Sequence, residues 1–218
     1  MGLAELLGVG PGVTSVVGSG GKTSLLAALA RELSGTVVLT TTTHILPFAG
    51  VPLLISPSAD EVAAALRASR VICVGSYGKK NKLVAPELGI YVLADLADHV
   101  LVEADGARRL PLKAHAAWEP VIAPRTARTI LVLGALGLGW PVAEKVHRPE
   151  IFCELAGCEP EDVATPELVA RAANAEGLGD VALVNQADAA AEAARELAVL
   201  LATPALVGSV QAGWARRP

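Results

Sequence analysis

Short runs of Val, Ile and Leu, separated by stretches of helical periodicity, constrain the fold of this chain more than any other feature. Strand-like runs fall at residues 13–17, 36–42, 71–75, 99–104, 129–133, 181–184 and 205–207. Between them, residues 23–33, 59–68, 86–97, 146–155, 166–175 and 189–201 carry apolar side chains at helical spacing. Strands that are apolar at nearly every position are buried on both faces, which is the condition of a parallel sheet covered by helices. The alternation predicts an α/β chain in three layers, a mostly parallel sheet with helices on both faces. The expected organisation is one domain over residues 1–218, with a small helical insertion around 144–178.

Composition narrows the function classes. Hydrophobic residues make up 52% of the chain but aromatics only 3%, so the core must be built from Ala, Val and Leu. The longest uncharged apolar stretch, residues 130–143, is interrupted by Gly and Pro. It is also shorter than the roughly 18 residues a spanning helix needs, so no membrane partner is expected. The start, "MGLAELLGVGPG", has no basic region ahead of an apolar run, and Leu6 stands where a myristoylation signal needs Ser or Thr. A cytoplasmic location is expected. A net charge of -4 leaves no basic footprint for nucleic acid. Cys73, Cys153 and Cys158 are an odd count without a CxxC pair, and read as packed thiols.

In such folds ligands bind beyond the carboxyl ends of the strands, and the chemically distinctive residues of this chain lie there. The first strand runs into "GSGGKTS". Glycines at Gly18, Gly20 and Gly21 let backbone N–H groups, with those of Ser19 and Ser24, approach phosphate oxygens. Lys22 reaches the outer phosphates, and the Thr23 hydroxyl holds Mg²⁺. Val16 occupies the place of the first glycine of the eight-residue motif, so this is the shorter G-x-x-G-K-T form found in Mur-type ligases. The peptide dipoles at a helix start amount to about half a positive charge, so Lys22 there calls for an anion.

The fourth strand ends in "HVLVEADGA", with Glu103 and Asp105 two residues apart. One acid suits the Mg²⁺ shell and the other an attacking water, and the order is open. A DG turn with a solvated Glu is the plain alternative. "TTTTH" offers Thr42 and His44 to the terminal phosphate or substrate, although β-propensity explains the threonines equally well. "VNQAD" approaches the N-K-x-D signature of guanine-specific proteins, with Asn185 and Asp188 as base contacts. Asp188 also suits the N-cap of the following helix. ATP and GTP both stay open. Of two basic clusters, Lys79, Lys80 and Lys82 read as a solvated face. Arg108, Arg109 and Lys113, together with His147 and Arg148 of "HRPE", are candidate ligands of an anionic substrate.

Taken in order, "GSGGKTS", "TTTTH", "GKKNKL", "VEADGARRLPLKAHAAWEPVIAP", "HRPE" and "VNQAD" resemble the YqeC-type selenium-dependent hydroxylase accessory proteins. The resemblance runs over residues 13–188, and the "VEADG…LPLKA…EPVI" block is its most specific part. His115, Ala116 and Gln186 stand where the family usually has other residues, a lysine in the last case. The resemblance implies a nucleotide-binding protein of P-loop NTPase-like fold that assists maturation of selenium-dependent molybdenum hydroxylases. Its partners would be a nucleotide and a client hydroxylase or its cofactor-maturation proteins. Two further classes compete: an ATP-dependent kinase or ligase of a small acid, with Arg109, Lys113 and His147 on the substrate, and a nucleotide-holding scaffold without turnover.

Overall fold

The computed structural model describes residues 1–218, apart from the side chain of Lys80. The expectation placed on Lys80 therefore lies outside the described residues. The chain forms two compact units that interleave along the sequence. The first comprises Met1–Val16, Leu25–Gly106 and Val121–Arg128, and the second comprises Val17–Ser24, Ala107–Pro120 and Thr129–Pro218.

Unit one is built on β1 (Gly12–Gly18, its last two residues in unit two), β2 (Val37–Thr41), β3 (His44–Ile45), β4 (Leu53–Ile55), β5 (Val71–Tyr77), β6 (Leu83–Val84) and β7 (His99–Glu103). Its helices are α1 (Leu3–Leu6), α2 (Lys22–Glu32, its first three residues in unit two), α3 (Ala59–Ala68) and α4 (Ile90–Leu96). β7 lies parallel between β1 and β2, β2 is parallel to β5, and β4 joins the far side of β5. The short β6 and β3 add an antiparallel extension. Val38, Val100 and Val102 on the strands pack with Val62 and Leu66 of α3 and Leu93 of α4. Burial of such side chains, at about 1.5–3 kcal/mol each, drives the assembly of this layer.

The α3 bounds match the sequence expectation because Ser58 and Glu61 form a reciprocal capping box that fixes the helix start. α4 begins at Ile90, later than expected. Gly89 sits at φ 81°, which lies outside helical space and ends the preceding turn.

Unit two contains β8 (Leu112–Lys113), β9 (Thr126–Gly134, shared with unit one), β10 (Val146–His147), β11 (Val181–Asn185), β12 (Ala205–Ser209) and β13 (Trp214–Arg216). Its helices are α5 (Val142–Lys145), α6 (Pro149–Ala156), α7 (Pro166–Glu176) and α8 (Ala191–Leu200). β9, β11 and β12 are parallel, and β13 closes the edge antiparallel to β12. β10 and β8 form a separate two-stranded parallel ladder. That ladder corrects the expected helix over 146–155. Val146 and His147 are extended, Arg148 turns the chain at φ 65°, and Pro149 opens α6. The α/β class and the mostly parallel strands agree with the sequence expectation. No helix of the described residues is long and apolar enough to cross a membrane.

Candidate functional site

The phosphate-loop candidate lies in unit two, where β1 passes into α2. Gly18, Gly20 and Gly21 all have positive φ, at 90°, 91° and 116°. Space forbids side chains here as firmly as the backbone does. A Cβ on Gly18 would run into the Val132 carbonyl, one on Gly20 into the Gly134 backbone, and one on Gly21 would come within 2.5 Å of Asn185 Nδ2. Ser19 N–H donates to the Val132 carbonyl at 2.8 Å, so the loop leaves β1 still bonded to β9.

Lys22 is the first residue of α2 and only 5% exposed. Its Nζ donates to the Gly18 carbonyl at 2.6 Å, curling the ammonium over the loop. Thr23 and Ser24 are exposed in the first helical turn.

Two other segments buttress the loop. Ser19 Oγ donates to the Leu110 carbonyl, and Gly134 N–H donates to the Pro111 carbonyl at 3.0 Å. These bonds bring the start of "LPLK" against the loop, directly after Arg108 and Arg109. Both arginines are exposed and hold left-handed backbone angles, φ 46° and 65°. Such conformations cost side-chain-bearing residues on the order of 1 kcal/mol and cluster at functional sites. From β11, Asn185 Nδ2 donates to the Gly20 carbonyl at 2.8 Å, and Asn185 Oδ1 accepts from Val210 N–H at 2.9 Å.

The remaining basic candidates gather around β8 and β10. His147 pairs with Lys113 in the ladder. Lys113 Nζ lies 3.0 Å from Glu119 Oε2, and Arg148 grips the same carboxylate through both oxygens at 3.2 Å. The Arg148 guanidinium also lies 5.6 Å from the Trp118 ring centroid. Burial holds the His147 imidazole below its ordinary pKa, with further lowering by Arg148, Lys113 and Arg108 against a smaller opposing pull from Glu119. His115 is bonded to Glu176 by its backbone N–H at 2.6 Å and its Nδ1 at 2.9 Å.

Asp188 is exposed beyond β11. It does not cap α8, whose N-cap is Ala190 with no side-chain bond, so the helix-cap alternative is corrected. Gln186 has φ 61°, and its buried Oε1 has no hydrogen-bond partner among the described residues.

Unit one holds the other candidates. Glu103 is opposite Val16 in the β1–β7 register, and Asp105 follows fully buried. Thr41 Oγ1 donates to the Glu103 carbonyl at 2.7 Å, and Thr42 Oγ1 donates to the Val121 carbonyl at 2.6 Å. His44 is exposed on β3. The structure thus brings Gly18–Ser24, Arg108, Arg109, Lys113, His147, Arg148, Asn185 and Asp188 into one unit, and Thr42, His44, Glu103 and Asp105 into the other. Sequence reasoning missed Glu119, Asn185 as a brace, and the Leu110 and Pro111 carbonyls. Glu119 stood within the "EPVI" part of the resemblance but nothing in those residues marked it as a counter-charge, and backbone carbonyls leave no trace in sequence.

Fold and site define an α/β protein with a glycine loop between a parallel strand and a helix that begins on lysine. Residues 14–150 match the family described as YqeC protein. The chain is also 36% identical, over 161 residues, to the Escherichia coli (strain K12) protein named "Uncharacterized protein YqeC", which covers 69% of this chain. This chain spans about 63% of that relative's length. No solved structure matches the chain. The chain belongs to the YqeC family.

Proposed function

We propose that this chain is a Mg²⁺-dependent nucleotide-binding accessory protein that acts in the cytoplasm in the maturation of selenium-dependent molybdenum hydroxylases. The observation carrying the nucleotide reading is the glycine cradle itself. Three positive-φ glycines stand where any Cβ would collide, and beside them the Lys22 ammonium is folded onto the Gly18 carbonyl. A phosphate satisfies the loop N–H groups, the helix start and that ammonium together. The residues therefore fit a nucleoside triphosphate, which supplies the phosphates and, with Mg²⁺, the charge that the loop neutralises.

In this reading the N–H groups of the loop and Lys22 bind the phosphates, and Thr23 offers its hydroxyl to the metal. Asn185 holds the Gly20 carbonyl away from the phosphates, so that the neighbouring N–H groups face them. Asp188, released from any capping duty, offers its carboxylate to the base edge. A guanine supplies two donors there that adenine lacks, and both nucleotides are carried forward. For Glu103 and Asp105 of unit one the metal-shell and water-orienting roles stay expectations, each tested by its own substitution to the amide.

A second reading rests on the density of cations in unit two. Lys113 and Arg148 both pair with the Glu119 carboxylate, and Arg108, Lys113 and Arg148 all act on the His147 imidazole. A small acid used by an ATP-dependent kinase or ligase would suit that cluster of cations, with Arg109 at its edge.

The experiment is equilibrium binding of non-hydrolysable GTP and ATP analogues, with and without Mg²⁺, to the wild type, Lys22→Ala and Asp188→Ala. Mg²⁺-dependent binding lost in Lys22→Ala is expected, and retained affinity there would overturn the phosphate site. GTP preference that collapses in Asp188→Ala would make the aspartate the base reader. An ATP preference indifferent to Asp188, with turnover that requires a small acid, would favour the kinase or ligase. Turnover stimulated by a purified client hydroxylase would favour the accessory role, and its absence alone and with the client would leave a scaffold.

A further inference from the structure

α6 ends in a turn that brings two cysteines together. Gly157 adopts φ 67°, and the N–H groups of Gly157 and Cys158 both donate to the Cys153 carbonyl, at 2.8 and 3.2 Å. Reversing the chain after the last helical turn folds Cys158 back over Cys153. The Cys158 thiol donates to Cys153 Sγ at 3.5 Å. We propose that Cys153 and Cys158 are a modification site of this protein, a dithiol that closes to an intramolecular disulfide by exchange with a low-molecular-weight disulfide.

The pairing is imposed by structure outside the two residues. Arg171 Nη1 donates to the Ala156 carbonyl at 2.5 Å and ties the helix end to α7. Past Cys158, Ala143 N–H bonds the Pro160 carbonyl at 2.8 Å and Val142 N–H bonds the Asp162 carbonyl at 2.9 Å. The thiols are therefore presented to each other by two anchored segments, and closing the bond orders little that is not already ordered. Among the described residues no third His, Cys, Asp or Glu completes a metal-ligating group, which favours redox chemistry over metal binding.

The environments of the two thiols set the order of steps. Cys158 is half-buried, and Cys153 is buried. Burial, the neighbouring Cys158 thiol and the carboxylates of Glu159 and Asp162 push the Cys153 thiol up to about 12. Entry is at Cys158, whose thiolate attacks one sulfur of the external disulfide and expels one thiolate. Cys153, losing its proton to solvent base, then attacks Cys158 Sγ in the mixed disulfide and expels the second thiolate. Two protein thiols are oxidised to one disulfide, and the external disulfide is reduced to two thiols. A thiol as weakly acidic as Cys153 is also a poor leaving group, so the closed bond resists reopening from that side.

The bond would pin residues 158–164 to the end of α6, the helix that starts immediately after His147 and Arg148. Cys73, fully buried on β5 with its thiol pushed up to about 11 by burial, provides an internal control.

The test incubates the native full chain with oxidised glutathione, quenches it in acid, alkylates it, and maps the thiols by mass spectrometry. From three free thiols, the wild type should fall to one, at Cys73, with a Cys153–Cys158 cross-linked peptide and no glutathione adduct. Cys153→Ser should instead collect a stable mixed disulfide at Cys158, and Cys158→Ser should collect none. A wild type that keeps three alkylatable thiols, or that stops with glutathione on Cys158, overturns the proposal. The wild-type map decides between these outcomes without either variant, so a variant that fails to fold does not weaken the test.

Discussion

The side-chain amide of Asn185 spans from the Gly20 carbonyl, at 2.8 Å, to the N–H of Val210, at 2.9 Å. One buried side chain therefore fastens the glycine loop to the end of β12. Removing it in Asn185→Ala leaves a carbonyl and an N–H without their partner. Each such group costs about 1–3 kcal/mol when buried. Urea unfolding should show a loss in that range. Asn185→Asp keeps the acceptor for Val210 but turns an oxygen toward the Gly20 carbonyl. It should weaken binding of a triphosphate analogue more than its loss of stability accounts for, as titration calorimetry would show.

Gly20→Ala should be among the most damaging of the small substitutions. The new methyl would meet the Gly134 backbone and come within 2.9 Å of the Pro111 carbonyl, at φ 91°. Overpacking costs about 1–3 kcal/mol, and the positive φ adds to it. Gly10→Ala is the control, because a Cβ there meets nothing within 4 Å. Thermal melts should separate the two variants clearly, and equal melting temperatures would refute the close approach.

Glu119 compensates two cations at once. Lys113 is almost fully buried, and Arg148 engages both carboxylate oxygens. Glu119→Gln leaves two charges poorly matched, and breaking a buried pair costs about 3–5 kcal/mol. The exposed pair of Arg125 and Asp95, at 2.7 Å, has the shorter distance but lies in solvent. Asp95→Asn should cost under about 1 kcal/mol. Denaturant unfolding of both variants tests whether burial, rather than distance, sets the rank.

His147 makes stability depend on pH in a defined direction. Its folded pKa lies below the ordinary 6.5, chiefly through burial and then through Arg148, Lys113 and Arg108. Below pH 6.5 the unfolded chain takes up the proton more readily than the folded one. The contribution of His147 is therefore complete above that pH and declines as pH falls through 6.5 toward the depressed folded value. His147→Asn should flatten the stability profile in that window. Arg148→Gln should raise the imidazole pKa measured by NMR titration. A pKa unmoved in that variant would remove the guanidinium as a cause.

Much of the fold was legible because apolar runs and caps are local signals. The limits of α3 follow from Ser58 and Glu61, and the central strands follow from their Val and Leu content. The glycine loop was legible too, since only positive φ and close approach explain glycines so placed. Other elements depend on distant partners. Val146 and His147 read as helical, yet they are held extended by Leu112 and Lys113, far away in sequence. The short β3 and β6 likewise exist only through each other and β5. At the site, Asp188 was ambiguous between cap and base contact because the chain turns twice more before α8 starts. The brace by Asn185 was invisible because its acceptor is a backbone carbonyl at the other end of the chain.

The back-to-back approach of Gly20 and Gly134 has a consequence for how this loop can vary among descendants of one gene. Facing side chains of ordinary size drift together, a larger one tolerated when its neighbour shrinks. Neither glycine has an atom to surrender, and the Gly134 position is further closed by Gln186 and the Pro111 carbonyl. A second-site change at one cannot rescue an enlargement of the other. In a saturation library both positions should stay fixed while showing no correlated variation. Two residues in intimate contact would thus leave no trace in a covariation map.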